Sequence, residues 1–302
     1  MPKIELERTF CPVCGPSAGE QEVYSARFDP DSLNGRTFSA RRLPDGQHFR
    51  IVRCLQCRLM RSDPIVPPSV LETLYSQSSM QYAEEIPHLR KTYGRYLAEL
   101  PRNGSRSQTL LEIGCGSGFF LEEAREQGFD VWGIEPSADA QEWAVSQIRP
   151  RIVSGAFRSN VFPAESFDVI AAFQVLDHLP DPLATLQECR RLLRNGGILL
   201  MLHHNASAFS ARLLGQRSPI IDIEHLFFYT PATMRALCER AGLEVVRVRS
   251  AINWISVAHL IELVPLPLSM KSRLLATPRR IGRFAVPLPI GNLVAVVRKS
   301  SG

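Results

Sequence analysis

From Thr109 onward, short apolar runs alternate with segments whose apolar residues recur every three or four positions. The runs at 109–113, 130–134, 151–154, 168–173, 197–203, 243–250 and 292–298 read as strands. Short apolar runs alternating with helical patterns are what a parallel sheet covered on both faces leaves in a sequence. Between them lie three helices with legible ends: one beginning at Ser117, one running from Asp181-Pro182 to Asn195-Gly196-Gly197, and one from Thr230-Pro231 to Gly242. The last carries Met234, Leu237, Cys238 and Ala241 on one face. Alternating strands and helices of this kind predict an α/β, doubly wound, seven-stranded, mostly parallel sheet over 109–302. Upstream, Val70, Leu71, Leu74 and Tyr75, then Tyr93, Tyr96, Leu97 and Leu100, repeat at helical spacing, so 67–108 reads as a helical lead-in. Pro64, Pro67 and Pro68 separate it from residues 1–66.

Those first 66 residues carry a different signal. Cys11-Pro-Val-Cys14-Gly and Cys54-Leu-Gln-Cys57 are two C-x₂-C pairs, each able to offer two thiolates from one turn. Asn34-Gly35, Asp45-Gly46 and the alternation at Phe49 and Ile51 suggest hairpins between the pairs. A small N-terminal zinc-binding module follows, with Cys11, Cys14, Cys54 and Cys57 as ligands; the alternative is four unpaired reduced thiols. Four thiolates leave no open coordination position, so such a Zn²⁺ would be structural. Cys115, Cys189 and Cys238 fall in apolar-patterned segments and read as small core residues. The start lacks a basic segment followed by an apolar run, and no stretch of ~18 apolar residues occurs, so a cytoplasmic location is expected. A net charge of +5 over 302 residues is too mild to argue for nucleic acid.

The stretch LLEIGCGSGFF, 110–120, places glycines at the end of the first strand, where a ligand would meet backbone. A dinucleotide turn needs G-x-G-x-x-G, and its third glycine would fall on Phe119; here the spacing is Gly114, Gly116, Gly118, preceded by Glu112. This pattern resembles the first motif of class I S-adenosylmethionine (AdoMet)-dependent methyltransferases, and the strand order matches it, which implies a Rossmann-like methyltransferase fold. The resemblance implies that Glu112 meets the ammonium group of the methionine part, that the glycines let the ligand approach main chain, and that Glu135 accepts the ribose hydroxyls. The acid that relatives often carry after the third strand for the adenine amino group is missing in Ser154-Gly155-Ala156-Phe157, leaving Phe157 as the packing partner. Gln174, after the fourth strand, is expected to contribute backbone contacts beside the methionine moiety.

Methyl transfer to a hydroxyl needs a base at the carboxyl ends of the strands. His178, His204 and His225 qualify by position, with Glu224 beside His225 as a second acceptor or an orienting partner; His203 adjoins His204. The layout of zinc module, helical lead-in, core and Glu-His-Leu-x-x-Tyr-Thr-Pro resembles bacterial methyltransferases of nucleotide-sugar and cell-surface polysaccharide synthesis. That resemblance implies a small sugar-containing acceptor, methylated on a hydroxyl of a nucleotide sugar or glycolipid in preference to carbon. Two further classes stay open: a ribosomal RNA or other nucleic-acid methyltransferase, disfavoured by the charge, and a non-catalytic AdoMet-binding protein. Residues 252–290 insert an apolar stretch followed by Lys271, Arg273, Arg279, Arg280 and Arg283, compatible with a flap on an anionic membrane or lipid-linked substrate, or with a plain packed hairpin.

Overall fold

The computed structural model describes residues 5–29, 33–34, 37–38, 45–79, 83–102, 107–263, 269–271 and 284–300. Strands β1 (Glu20–Tyr24), β2 (Ile51–Cys54) and β3 (Met60–Ser62) follow the N-terminus, then helices α1 (Pro68–Ser76) and α2 (Ile86–Ala98). The main domain runs β4 (Thr109–Ile113), α3 (Phe119–Glu126), β5 (Asp130–Glu135), α4 (Ala138–Glu142), β6 (Ile152–Ser154), β7 (Phe167–Phe173), α5 (Pro182–Leu192) and β8 (Leu193–His204). It continues with α6 (Phe209–Leu214), β9 (Phe227–Phe228), α7 (Pro231–Arg240), β10 (Glu244–Ser250), β11 (Asn253–Ser256), α8 (Val257–Leu263), β12 (Ala285–Leu288) and β13 (Asn292–Arg298).

All seven expected strands form one sheet, in the order β10-β13-β8-β7-β4-β5-β6. The pairs from β6 to β8 are parallel, and β13 runs antiparallel to both its neighbours. The chain starts at β4 near the middle, winds outward to β6, and returns to β7 on the other side. The crevice between β4 and β7 is therefore the topological switch point, where open sheets bind ligands. Caps fix the helix starts as the sequence implies: the Asp181 carboxylate accepts from Ala184 N–H, and Thr230 with Thr233 closes a capping box ahead of Pro231.

Two boundaries differ from the sequence reading. The helix expected from Ser117 starts at Phe119, because Gly118 is left-handed at φ +73° and serves as its N-cap. The helix expected to finish at Asn195-Gly196-Gly197 ends at Leu192. Residues 194–197 bulge out between the pairs Phe167↔Leu193 and Val169↔Ile198, with Gly196 at φ +77°.

The N-terminal segment is not set apart from this core. β1, β2 and β3 form an antiparallel sheet whose fourth strand is β9, so two residues of the main domain complete it. Cys11, Phe49, Cys54 and Leu59 share one buried apolar cluster with Leu111, Leu199, Leu226 and Tyr229. Gly35 of the expected Asn34-Gly35 turn lies outside the described residues. The Asp45-Gly46 turn is present, with Gln47 N–H donating to Asp45 Oδ1 at 2.8 Å. Inside the expected flap, β11 pairs with β12 and α8 follows β11, while Arg273, Arg279, Arg280 and Arg283 lie outside the described residues. The base of the flap is tied to α2: Tyr96 Oη accepts from Ile252 N–H at 2.7 Å and Thr92 Oγ1 accepts from Trp254 N–H at 2.8 Å. Among the described residues no helix is long and apolar enough to cross a membrane.

Candidate active site

A cleft of about 1910 Å³ opens over the carboxyl ends of β4, β5, β7 and β8. Its floor is the turn after β4. Gly114 and Gly116 hold φ of +67° and +54°, a region that glycine occupies without a Cβ clash. A Cβ on Gly114 would stand 2.6 Å from Val175 Cγ2, so the two chain crossings touch here. Gly118 does not line the cleft; a Cβ there would meet Ile148 Cγ2 at 2.6 Å, which makes it a packing glycine behind the turn.

Two carboxylates flank the turn. Glu135 accepts from Gly116 N–H and Ser137 N–H, both at 2.8 Å, and these amides aim it without exhausting its lone pairs. Glu112 is 3% exposed and its Oε2 has no hydrogen-bond partner. Burial raises the pKa of both acids, and the charge of Glu135 pushes Glu112 up further. An orphaned buried carboxylate beside a second one is costly unless a cation or donor arrives. An ammonium group with a ribose diol fits that need, so AdoMet suits these residues. Phe157 lines the same cleft, with no acid beside it. Gln174 also lines it, at a left-handed φ of 56° with its amide oxygen buried and unpartnered; such an outlier in a non-glycine residue is held by its surroundings, here Gln174 N–H donating to Leu202 O at 2.8 Å.

In the same cleft the structure brings together the histidines that the sequence scatters between positions 178 and 225. His225 sits between His178 and His204, with ring centroids 4.9 and 4.8 Å away. All three line the cleft, as does Glu224. His225 Nδ1 faces Ile220 O at 2.8 Å, and a carbonyl only accepts, so Nδ1 carries a proton and Nε2 is the ring nitrogen that this bond leaves over. Burial lowers the pKa of His178 to about 4 and of His204 to about 3, with the neighbouring His225 pushing the same way in each. Both are therefore neutral at physiological pH.

Two residues of this group carried no chemical signal in the sequence. Tyr75, recognised there only as an apolar position on a helix, puts its hydroxyl 3.0 Å from His178 Nδ1. Asp177 is fully buried beneath the histidines; His203 Nδ1 lies 3.5 Å and His178 Nε2 3.9 Å from its Oδ1. Burial would favour its neutral form, yet the surrounding imidazoles hold its pKa below the usual range. The histidine in the tripeptide Leu176-Asp177-His178 drew attention; its neighbour did not, because burial cannot be read from one position.

The four cysteines of the N-terminal segment converge as their spacing implies, with all Sγ atoms within 4.8 Å of one another. The two knuckles match in backbone: Gly15 N–H donates to Cys11 O at 2.8 Å and Arg58 N–H to Cys54 O at 3.1 Å, with φ of +84° and +67°. Arg58 thus adopts the conformation that Gly15 takes in the first pair.

A glycine turn, two buried carboxylates and three histidines lining one switch-point crevice fit a group transferase that uses a nucleoside cofactor. Comparison with known proteins specifies which: the methyltransferase-domain family model matches residues 82–248, and the chain belongs to that family of S-adenosylmethionine-dependent methyltransferases. Relatives include a ubiquinone biosynthesis O-methyltransferase of Haemophilus ducreyi, 27% identical over 47% of this chain and 67% of its own. A protein of the same description from Paracidovorax citrulli is 29% identical over 57% of this chain and 76% of its own. Neither relative's name carries the sugar and polysaccharide context expected from the layout. Among solved structures, a SAM-dependent methyltransferase of Thermotoga maritima covers 72% of this chain and 93% of its own at a TM-score of 0.51 and 18% identity. The cyclase SpnF covers 79% and 98% at 0.51 and 18%, a likeness of fold alone.

Two outcomes follow for the cofactor turn. Gly116→Val puts a β-branched residue at φ +54°, a strain of ~1–3 kcal/mol that the relaxed turn must recover on binding. AdoMet affinity should fall by about tenfold to a hundredfold in equilibrium dialysis, and wild-type affinity would refute the placement. Because burial and Glu135 raise the pKa of Glu112, an arriving ammonium should lower it again and release a proton. Calorimetry at neutral pH should then give heats that depend on the ionisation enthalpy of the buffer; identical heats would contradict the assignment.

Proposed function

We propose that the protein methylates a hydroxyl of an uncharged acceptor with an apolar body, using His225 as the general base. The observation that carries this reading is the convergence of His178, His204 and His225 on the wall facing the glycine turn. AdoMet supplies an electrophilic methyl group when bound. Glu112 and Glu135 orient it from the β4–β5 side, while Nε2 of His225 takes the proton as the acceptor oxygen attacks. Proton transfer by a positioned side chain of this kind typically contributes ~10²–10⁴ in rate. The relatives named as O-methyltransferases support oxygen as the methylated atom.

Charge and polarity of the cleft support the acceptor class. Among the described residues ten Asp and Glu line it against one Arg, and Arg158 is already bonded to both carboxylate oxygens of Glu72 at 2.6 and 2.5 Å. A diphosphate would meet repulsion there with no free cation among the described lining residues. A nucleotide sugar or an RNA backbone therefore suits the cleft less well than a neutral lipid-like or glycolipid hydroxyl. The mouth presents apolar surface: Phe209 and Leu213 on α6 are 81% and 71% exposed, and Trp254 and Ile255 of β11 line the same cleft. Label from methyl-tritiated AdoMet should enter the solvent-extractable fraction of a cell extract as an alkali-stable ether. His225→Ala should cut that rate by ~10²–10⁴ with AdoMet affinity unchanged. Label in RNA or nucleotide sugars would overturn the acceptor class, and full activity in the variant would overturn the base.

We further propose that Cys11, Cys14, Cys54 and Cys57 bind one structural Zn²⁺. Four sulfurs within 4.8 Å of one another support it, as do the two matching knuckle turns. Burial raises the thiol pKa of Cys14 and Cys57, while at Cys54 the amides of Cys57 and Gln56 and the Cys11 thiol outweigh burial and bring it to about 7. Atomic emission should find one zinc per chain, falling to none in Cys54→Ser; a full zinc complement in that variant would exclude this site.

A further inference from the structure

The loop that carries His225 is held from two sides. On one, Leu226 N–H and Phe227 N–H donate to Asp177 O at 2.8 and 3.2 Å. On the other stands β3 of the cysteine-bearing segment: Ser62 N–H donates to Leu226 O at 2.8 Å, and Ser62 Oγ–H donates to His225 O at 3.0 Å. The register continues with Arg61 opposite Phe227 and Met60 opposite Phe228. β9 is two residues long and β3 is its neighbour in the sheet, and a strand so short is not stable by itself. The imidazole cannot drift independently either, since its Nδ1 is tied to Ile220 of the same loop.

β3 in turn is set by what surrounds the thiols. It begins three residues after Cys57, and Cys54 N–H donates to Leu59 O at 2.9 Å, closing the second knuckle directly onto the strand. Thr9 Oγ1–H donates to Ser62 O at 2.7 Å, Arg61 pairs with Glu20, and the buried Asp63 accepts from Arg8 and Arg50. The cofactor turn shares an apolar cluster with the cysteine segment, through Ile113 and Ile134, but takes its backbone hydrogen bonds from elsewhere. Gly114 N–H and Cys115 N–H donate to Ile134 O, and Gly116 N–H to Glu135, all within the main sheet.

Resting on the reading of His225 as base, we propose that Ser62 and β3 are positioning elements of the acceptor site, through which the metal state of the four cysteines sets the aim of His225. The site would then divide: thiol ligation governs the acceptor half and leaves the cofactor half untouched.

The test uses the full chain with its zinc, the same protein stripped by a chelator, and the variants Ser62→Ala and Ser62→Thr. Three readouts need no acceptor: the His225 ring resonance, assigned with His225→Gln, amide exchange of 225–228, and calorimetric affinity for S-adenosylhomocysteine. Stripping and Ser62→Ala should shift or broaden the ring signal and speed exchange about fivefold or more, as expected for losing one hydrogen bond. Ser62→Thr, which keeps the hydroxyl, should restore both, with S-adenosylhomocysteine affinity within about twofold throughout. An unchanged ring signal and exchange in stripped protein and in Ser62→Ala would overturn the proposal. So would loss of S-adenosylhomocysteine binding in parallel, because the segment would then merely hold the whole fold. Failure to detect methyl transfer would bear on the activity and leave these readouts intact.

Discussion

Two carboxylates stand at adjacent strand ends, out of water, beside a bend of left-handed glycines, and the rest of the site is arranged around that cost. Glu112 has an oxygen with no partner and a negative neighbour in Glu135. The folded chain tolerates such a pair by the raised pKa of both acids, and an arriving cation relieves it. A ligand with an ammonium group and a diol would do so, which would tie the fold, the glycine turn and the cofactor into one physical requirement.

The sheet topology decides what faces that pair. Because the order reverses between β4 and β7, the segments after β7 and β8 and the loop before β9 rise on the opposite wall, bringing His178, His204 and His225 within one ring's reach of each other. Burial keeps His178 and His204 uncharged, and the Ile220 carbonyl fixes the tautomer of His225. An imidazole whose Nδ1 is committed to a backbone carbonyl has Nε2 as the nitrogen left for proton transfer within the cleft. Among the described residues the lining is acidic, which fits the proposed cationic donor and uncharged acceptor.

Much of this was legible in the sequence because it is written in local patterns. Seven apolar runs gave seven strands, Asp181-Pro182 and Thr230-Pro231 gave capped helix starts, and the two C-x₂-C pairs gave the thiol cluster. What escaped depends on pairings across long separations. β9 is too short for any periodicity and exists because β3, over 160 residues earlier, offers it hydrogen bonds. Asp177 and Tyr75 gain their meaning from burial and from a histidine brought close by tertiary packing. The bulge at 194–197 replaced an expected helix end because Gly196 is glycine enough for either. Gly118 matched a cofactor motif but faces Ile148, showing that spacing alone does not separate a binding glycine from a packing one.

The account is tested most directly by a crystal structure of the full chain with S-adenosylhomocysteine. It predicts the amino group against Glu112, the ribose hydroxyls at Glu135, and the sulfur facing the His225 wall. Density for the ligand elsewhere, or a Glu112 that remains unpartnered with the cleft saturated, would contradict it.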